Sequence, residues 1–339
     1  MNWGQSYSAS WRVYRVNRKT WADREELKGV DGVSLTRTAD GRLLESGGMD
    51  LSGTFEPDYY RIVMIAEQGG EVERVDVATL LFDISGGSYN YGSDKPSAEG
   101  YSVLYPASTQ VILAGEYAPQ GVNGAEYAAE LLRGAINAPV EVEGGFILNE
   151  NIVHEIGSYV IDAVWAVLEA GGFIIQIDGR GVVHIRKKPT EPALIIDNTN
   201  ARLLGPEIPH QGDISELPNR YIVLVGSNKT IAVNDDPESI ISTESRGYYV
   251  DYVDESPTPV DGETYGQYAN RRLRELSVLE HEYSYKREYA PGVMLYSIVR
   301  SSIDGLDGDI RVNSQTVECG NGIVISEKGI VEVELWNKV

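Results

Sequence analysis

Residues 156–188 constrain the fold of this 339-residue chain more than any other stretch. Ile156, Val160, Ala163, Val164, Val167 and Leu168 recur at three- and four-residue spacing, so they form one helix face that must be buried. Gly171 and Gly172 follow, and glycine readily takes the left-handed conformation that closes a helix. Residues 173–178 and 181–186 then read as two strands, because apolar and β-branched side chains flank the short turn Asp178-Gly179-Arg180-Gly181. The expected unit is a helix laid on a hairpin, with Trp165 beside the stripe in its core.

β-rich sequence lies on both sides of this unit. Before residue 115, residues 62–65, 75–84, 102–104 and 110–113 read as short strands separated by Gly, Asp and Ser. Residues 85–100 read as a mobile inter-strand loop and not as a phosphate cradle, since Lys95 is followed by Pro96 and no helix pattern comes next. A second amphipathic helix is expected over residues 124–136, ended by Pro139. From residue 218 onward, residues 221–225 read as a strand partnered by residues 247–253. Between them Asn234-Asp235-Asp236-Pro237 lacks the EF-hand spacing and reads as a solvated acidic turn.

Residues 264–279 form the longest helix pattern of this half, with Tyr265, Tyr268, Ala269, Leu273, Leu276 and finally Leu279 as its buried stripe. Arg271, Arg272 and Arg274 project elsewhere. They either dock against carboxylates of a neighbouring subunit or pair within the helix with Glu275 and other acids, the second being weak in energy. The alternation of residues 330–336 marks a half-buried strand with Glu332 and Glu334 on one acidic face.

Composition narrows the function. The 29 Lys plus Arg stand against 51 Asp plus Glu, a formal charge of −22, which repels a phosphate backbone and an anionic membrane surface. No apolar run approaches the roughly 20 residues that span a bilayer, and the first residues lack the pattern of a secretory signal. The expectation is synthesis in the cytoplasm and no membrane partner. Cys319, the sole cysteine, excludes an internal disulfide and reads as a buried thiol.

His154, His184, His210 and His281 lack metal-ligand spacing. His154-Glu155 fails as a zinc-protease motif because Ser158 stands where the second histidine belongs. With no nucleophile elbow and no base for the cysteine, neither catalysis nor a cofactor is expected. The alternative from another class is an acidic carbohydrate-binding or glycoside hydrolase protein, since 21 tyrosines could line a sugar groove. No carboxylate pair is singled out for it.

The order of several soft motifs carries a family resemblance. The helix, glycine, strand, Asp-Gly, strand sequence of residues 156–188 is one of them. Others are residues 53–65 leading to Ala78-Thr79-Leu80-Leu81-Phe82-Asp83-Ile84, then Ser102-Val103-Leu104-Tyr105-Pro106-Ala107, and Pro218-Asn219-Arg220-Tyr221. The helix at 264–279 running into Tyr289-Ala290-Pro291-Gly292-Val293 completes the series. In this order the chain resembles the baseplate hub, or tail hub, proteins of bacteriophages, prophages and contractile injection systems.

That resemblance implies an α+β, mainly β fold in which two tail-tube-like β-barrel domains flank a smaller α/β domain of helix plus hairpin. The implied boundaries are 1–115, 116–205 and 206–339, with the barrels drawing on residues 33–113 and 220–336. It further implies a structural virion component, a homotrimer at the distal end of the tail tube. The implied partners are the tail tube or distal tail protein, the tail tip or spike protein and the tape-measure protein, with DNA passing through without stable binding. On this reading Arg271, Arg272 and Arg274 are inter-subunit contacts, and Glu332 and Glu334 face the lumen.

Overall fold

The structure, a computed structural model, describes every residue except 1–6, 53–54, 91–92, 198–202, 204–209, 227, 260–261, 304–305, 321 and 337–339. The protein is mainly β. It divides into two compact units, a larger one of residues 1–208 and 284–329, and a smaller one of residues 209–283 and 330–339.

The larger unit begins with seven strands: β1 (Ser8–Val16), β2 (Asp23–Glu26), β3 (Val30–Thr38), β4 (Glu45–Leu51), β5 (Asp58–Gln68), β6 (Glu71–Asn90) and β7 (Ser93–Tyr101). They pair antiparallel in the order β3-β4-β7-β6-β5-β1-β2. β3 shows why: Val33, Leu35 and Arg37 are buried while Ser34 and Thr36 between them are exposed, the period of a strand with one covered face. β5 is instead buried almost throughout, because Tyr60, Ile62 and Met64 join the core of the sheet while Tyr59 joins a second core on its other face. The expected loop at 85–100 is the tip of the β6–β7 hairpin, whose pairing reaches Asn90 and Ser93; Tyr91 lies outside the described residues. Residues 102–104 are a turn into α1 (Tyr105–Thr109), not a strand, with Ser102 Oγ accepting from Leu104 N at 3.2 Å.

The second core belongs to an α/β lobe: β8 (Glu116–Ala118), α2 (Gly124–Ala135), β9 (Val140–Val142), β10 (Ile152–His154), α3 (Val160–Ala170), β11 (Phe173–Ile177) and β12 (Val183–Lys187). The β11–β12 hairpin and the α3 helix appear as the sequence predicts, with β9 added parallel to β12. α3 ends where Gly172 takes φ +65°, and α2 starts on Asn123, whose side chain accepts from Ala125 N at 3.1 Å. Such a cap contributes about 1 kcal/mol. Ile156 departs from the expectation. It precedes the helix and is 69% exposed, because Gly157 at φ +88° turns the chain before α3 begins.

After β13 (Pro192–Ile196) comes the smaller unit, with β14 (His210–Gln211), β15 (Arg220–Val225), β16 (Asn228–Val233), α4 (Thr243–Arg246), β17 (Asp251–Asp254) and α5 (Tyr265–Leu276). β15 pairs with β17 as expected, in parallel, and also antiparallel with β16, which its polar start concealed. Asn234 and Asp236 correct the solvated-turn reading: both are buried, Asn234 donating to Ser239 Oγ at 2.9 Å and Asp236 accepting from Glu238 N at 3.1 Å. α5 is held by a Thr264–Gln267 capping box and buries Tyr268, Ala269 and Leu273. Tyr265 is 41% exposed, and Leu279 belongs to the strand β18 (Val278–Glu288), since the helix stops at Ser277.

The chain then returns to the larger unit with β19 (Ile298–Ile303), β20 (Leu306–Gly320) and the first part of β21 (Gly322–Glu334). β20 is long enough to pair with β19 over its first half and β3 over its second, so these C-terminal strands continue the sheet begun by β1 to β7. β13 joins β19 in parallel. The described strands close no barrel. Cys319 is buried as expected, and burial pushes its thiol up to about 12.

A polar row crosses this interior. Arg37 lies opposite Glu45 and Gln315 on its two neighbouring strands, donating to Glu45 Oε1 at 2.7 Å and to Gln315 Oε1 at 3.3 Å. Gln315 donates to Glu327 at 2.7 Å, and Arg287 grips both oxygens of Glu327 at 2.6 and 2.7 Å. All five side chains are buried.

Candidate assembly surfaces

The Asp178-Gly179-Arg180-Gly181 turn is where the α/β lobe seats on the sheet. Trp21 Nε1 donates to Arg180 O at 2.7 Å, Arg61 donates to the same oxygen at 3.1 Å, and Thr79 Oγ1 donates to Gly179 O at 3.1 Å. Arg61 is 2% exposed and also binds Asp23 at 2.7 Å; burial draws its guanidinium down and the carboxylates of Asp23 and Asp76 oppose this. Gly181 sits at φ +73°. Sequence reasoning found the turn and missed its receptors. The available signal was a lone arginine, Arg61, inside the apolar run of β5.

Beside the turn, His184 faces three carboxylates. Its Nε2 is 3.4 Å from Asp178, and its Nδ1 is 3.4 Å from Glu143 and 3.6 Å from Glu141. The hydrogen bond to Asp178 raises its pKa, burial opposes, and the two glutamates add to the rise. Burial pushes the Asp178 carboxyl up, but the hydrogen bonds from His184 and the Val182 N–H and the charge of His184 together hold it below the usual carboxylate range. An open groove of about 660 Å³ adjoins it, lined among others by Glu143, Gln176, Arg186, Lys187 and Lys188. Arg186 bonds Glu143 across it at 3.2 Å. Among the described residues no three His, Cys, Asp or Glu side chains converge as a metal site would require.

The predicted arginines occupy one turn of α5. Arg271 binds Glu263 at 2.8 Å and Glu275 at 2.9 Å, and Arg272 binds Glu275 from the next position. Arg274 stands over the Trp336 ring with its guanidinium carbon 5.3 Å from the centroid. Two of the three therefore already hold acids of their own chain. Glu332 and Glu334 are exposed on β21, and so is Val333 between them at 39%, so this strand end lacks the covered face its alternation predicts.

Compared with solved structures, the chain is similar over nearly its full length to phage tail proteins. The 43 kDa tail protein of prophage MuSo2 from Shewanella oneidensis superposes with a TM-score of 0.64, at 14% identity, covering 96% of this chain and 98% of that one. A tail protein from Neisseria meningitidis MC58 follows with a TM-score of 0.62, at 12% identity and coverages of 96% and 97%. A chain of the Francisella PdpA–VgrG complex matches with a TM-score of 0.57 at 10% identity. That match takes in 96% of this chain and 58% of the longer one. The sequence matches no protein-family model and no curated protein. The fold is that of these tail proteins.

Proposed function

We propose that the protein is a structural component of a phage or prophage tail, a hub that sits at the distal end of the tail tube and joins it to the tip or spike. The observation that carries this reading is full-length likeness: 96% of the chain follows the fold of a prophage tail protein that it covers to 98%. In this reading the β-rich segments 1–115 and 206–339 each supply a tube-like half around the α/β segment 116–205. Three chains close one ring, and the barrels are completed by strands of neighbouring copies. The tape-measure protein and the tail tube or distal tail protein are its axial partners, and the virion is its destination after synthesis in the host cytoplasm.

The formal charge of −22 fits a wall past which DNA slides, since like charge prevents the multi-phosphate contacts that create affinity. Glu332 and Glu334 are assigned to that wall. Arg271, Arg272 and Arg274 are assigned to the subunit joint, where Arg271 and Arg272 would exchange their own-chain acids for a neighbour's. The protein is proposed to be non-enzymatic.

Mass measurement by sedimentation, followed by electron micrographs of the chain mixed with its tail tube protein, tests the proposal. A three-copy ring capping the tube is expected. A chain that stays monomeric in both conditions overturns it, as does tight duplex binding near physiological salt for the lumen.

A further inference from the structure

The α/β lobe carries an apolar surface that its own core leaves uncovered. Residues 110–118 run antiparallel to residues 152–160 in one register, Val111 opposite Tyr159, Glu116 opposite His154, Tyr117 opposite Val153 and Ala118 opposite Ile152. Backbone bonds from Ile112 N to Ser158 O and from Val160 N to Gln110 O, both 2.9 Å, extend the ribbon, which is interrupted at 113–115. Side chains alternate between its faces. The inner face is covered: Ile112, Ala118 and His154 are 5%, 0% and 3% exposed.

The outer face should then be polar, as in an antiparallel sheet with one face in water. It is the reverse. Val111 is 38% exposed, Tyr117 53%, Val153 73% and Tyr159 47%, and Leu113, of the same alternation, is 85% exposed within the interruption. A row of exposed apolar side chains along one face of a ribbon marks an interaction site, unlike scattered single side chains.

Charge identifies the occupant. Between residues 110 and 160 the sequence has seven glutamates, no aspartate, no lysine and the single arginine Arg133. Glu155 and Glu116 lie in the ribbon itself and are exposed, Glu116 opposite His154 and so on the alternation of the inner face. A second copy of this chain would bring the same glutamates against them, and like charges facing across an interface are unfavourable. A cationic partner gains instead. The shape is that of a single stripe: nine residues at about 3.3 Å each give roughly 30 Å, and two strands are only about 5 Å apart. A helix of about five turns covers that length with one face. An added strand would use the ribbon's edge and leave the face bare.

We propose that this ribbon is a docking site for a basic amphipathic helix of a different protein, seated with its apolar stripe on Val111, Leu113, Tyr117, Val153 and Tyr159 and its lysines or arginines beside Glu155. The inference stands on the isolated chain and does not depend on ring formation.

Two fluorescent 18-residue synthetic helices test it, one of leucine and lysine and one of leucine and glutamate on the same apolar stripe. Anisotropy with the full chain at about 0.15 M salt should show binding of the lysine helix and none of the glutamate helix. The double variant Tyr117→Ser/Val153→Ser keeps the net charge, so it separates apolar docking from general attraction to an acidic protein. It should weaken binding at least tenfold with an unchanged circular dichroism spectrum. A variant that binds as well as the parent chain overturns the proposal, as does equal binding of both helices. Single substitution Leu113→Ser, on a side chain 85% exposed, serves as the check if the double variant misfolds, with the same two outcomes. Self-association that disappears in either variant would assign the surface to a second copy and overturn the helix.

Discussion

Gly179 lies where no side chain fits, since a Cβ there would come within 1.8 Å of Asp76 O in β6. Backbone on both sides prevents the relaxation that softens most small-to-large changes. Gly179→Ala should therefore cost at least ~3 kcal/mol, the upper end for overpacking. Gly172→Ala is the contrast, because Gly172 needs φ +65° but has open space around it. It should cost about 1 kcal/mol, the backbone penalty alone. Urea midpoints of the two variants would decide whether the turn is a seat or a free loop. His184 offers a second test at this scale. Its folded pKa is raised, so its stabilising contribution is fully present below the unfolded value of about 6.5 and is lost as pH rises through the folded one. The stability difference between the parent and His184→Gln should shrink from pH 6 upward. Titration of the His184 ring by NMR should give a midpoint above about 6.5, moving down in Asp178→Asn. An unshifted midpoint would remove the cluster from the account.

At the scale of elements, the buried row Glu45, Arg37, Gln315, Glu327 and Arg287 crosses neighbouring strands and fixes their register, because a slip of one residue would turn each charge out of its partner's reach. Burial pushes the Glu45 carboxyl up and Arg37 opposes it. Removing one partner leaves an uncompensated charge, so Glu327→Leu should cost about 3–5 kcal/mol. Replacing both, as Arg287→Met with Glu327→Leu, should restore much of that loss. A double variant as unstable as the single one would show that the row does more than satisfy itself. This row was illegible in the sequence, where charged residues in alternating strands read as solvent-facing. What was legible is local: α2, α3, most of α5 and the β11–β12 hairpin follow from spacing and turn residues alone. Ile156 misled because helical spacing continues backward past Gly157, and only the chain reversal there shows that the helix starts at Val160. The arginines of α5 were found as a cluster, while their partners Glu263 and Glu275 follow from where the helix starts and how it turns.

At the scale of the molecule, the two ends of the larger unit's sheet are unlike. β2 is four residues long, Asp23-Arg24-Glu25-Glu26, short and charged in the way that blocks edge pairing. β13, Pro192-Ala193-Leu194-Ile195-Ile196, pairs only with β19 among the described strands and has Ile195 53% exposed. An apolar edge left open in a folded chain is a liability unless another strand meets it. If three copies close a ring as proposed, β13 is the edge a neighbour should cover, and closure by rotation explains why growth would stop at three. Ile195→Lys puts a charge at that edge on a side chain that the isolated chain leaves half in water. It should change stability by no more than about 0.5 kcal/mol, as surface substitutions do, while shifting the sedimentation boundary from the trimer toward the monomer. Trimers that persist in Ile195→Lys, with the chain still folded, would move the subunit joint away from β13 and leave the α5 arginines as its remaining assignment.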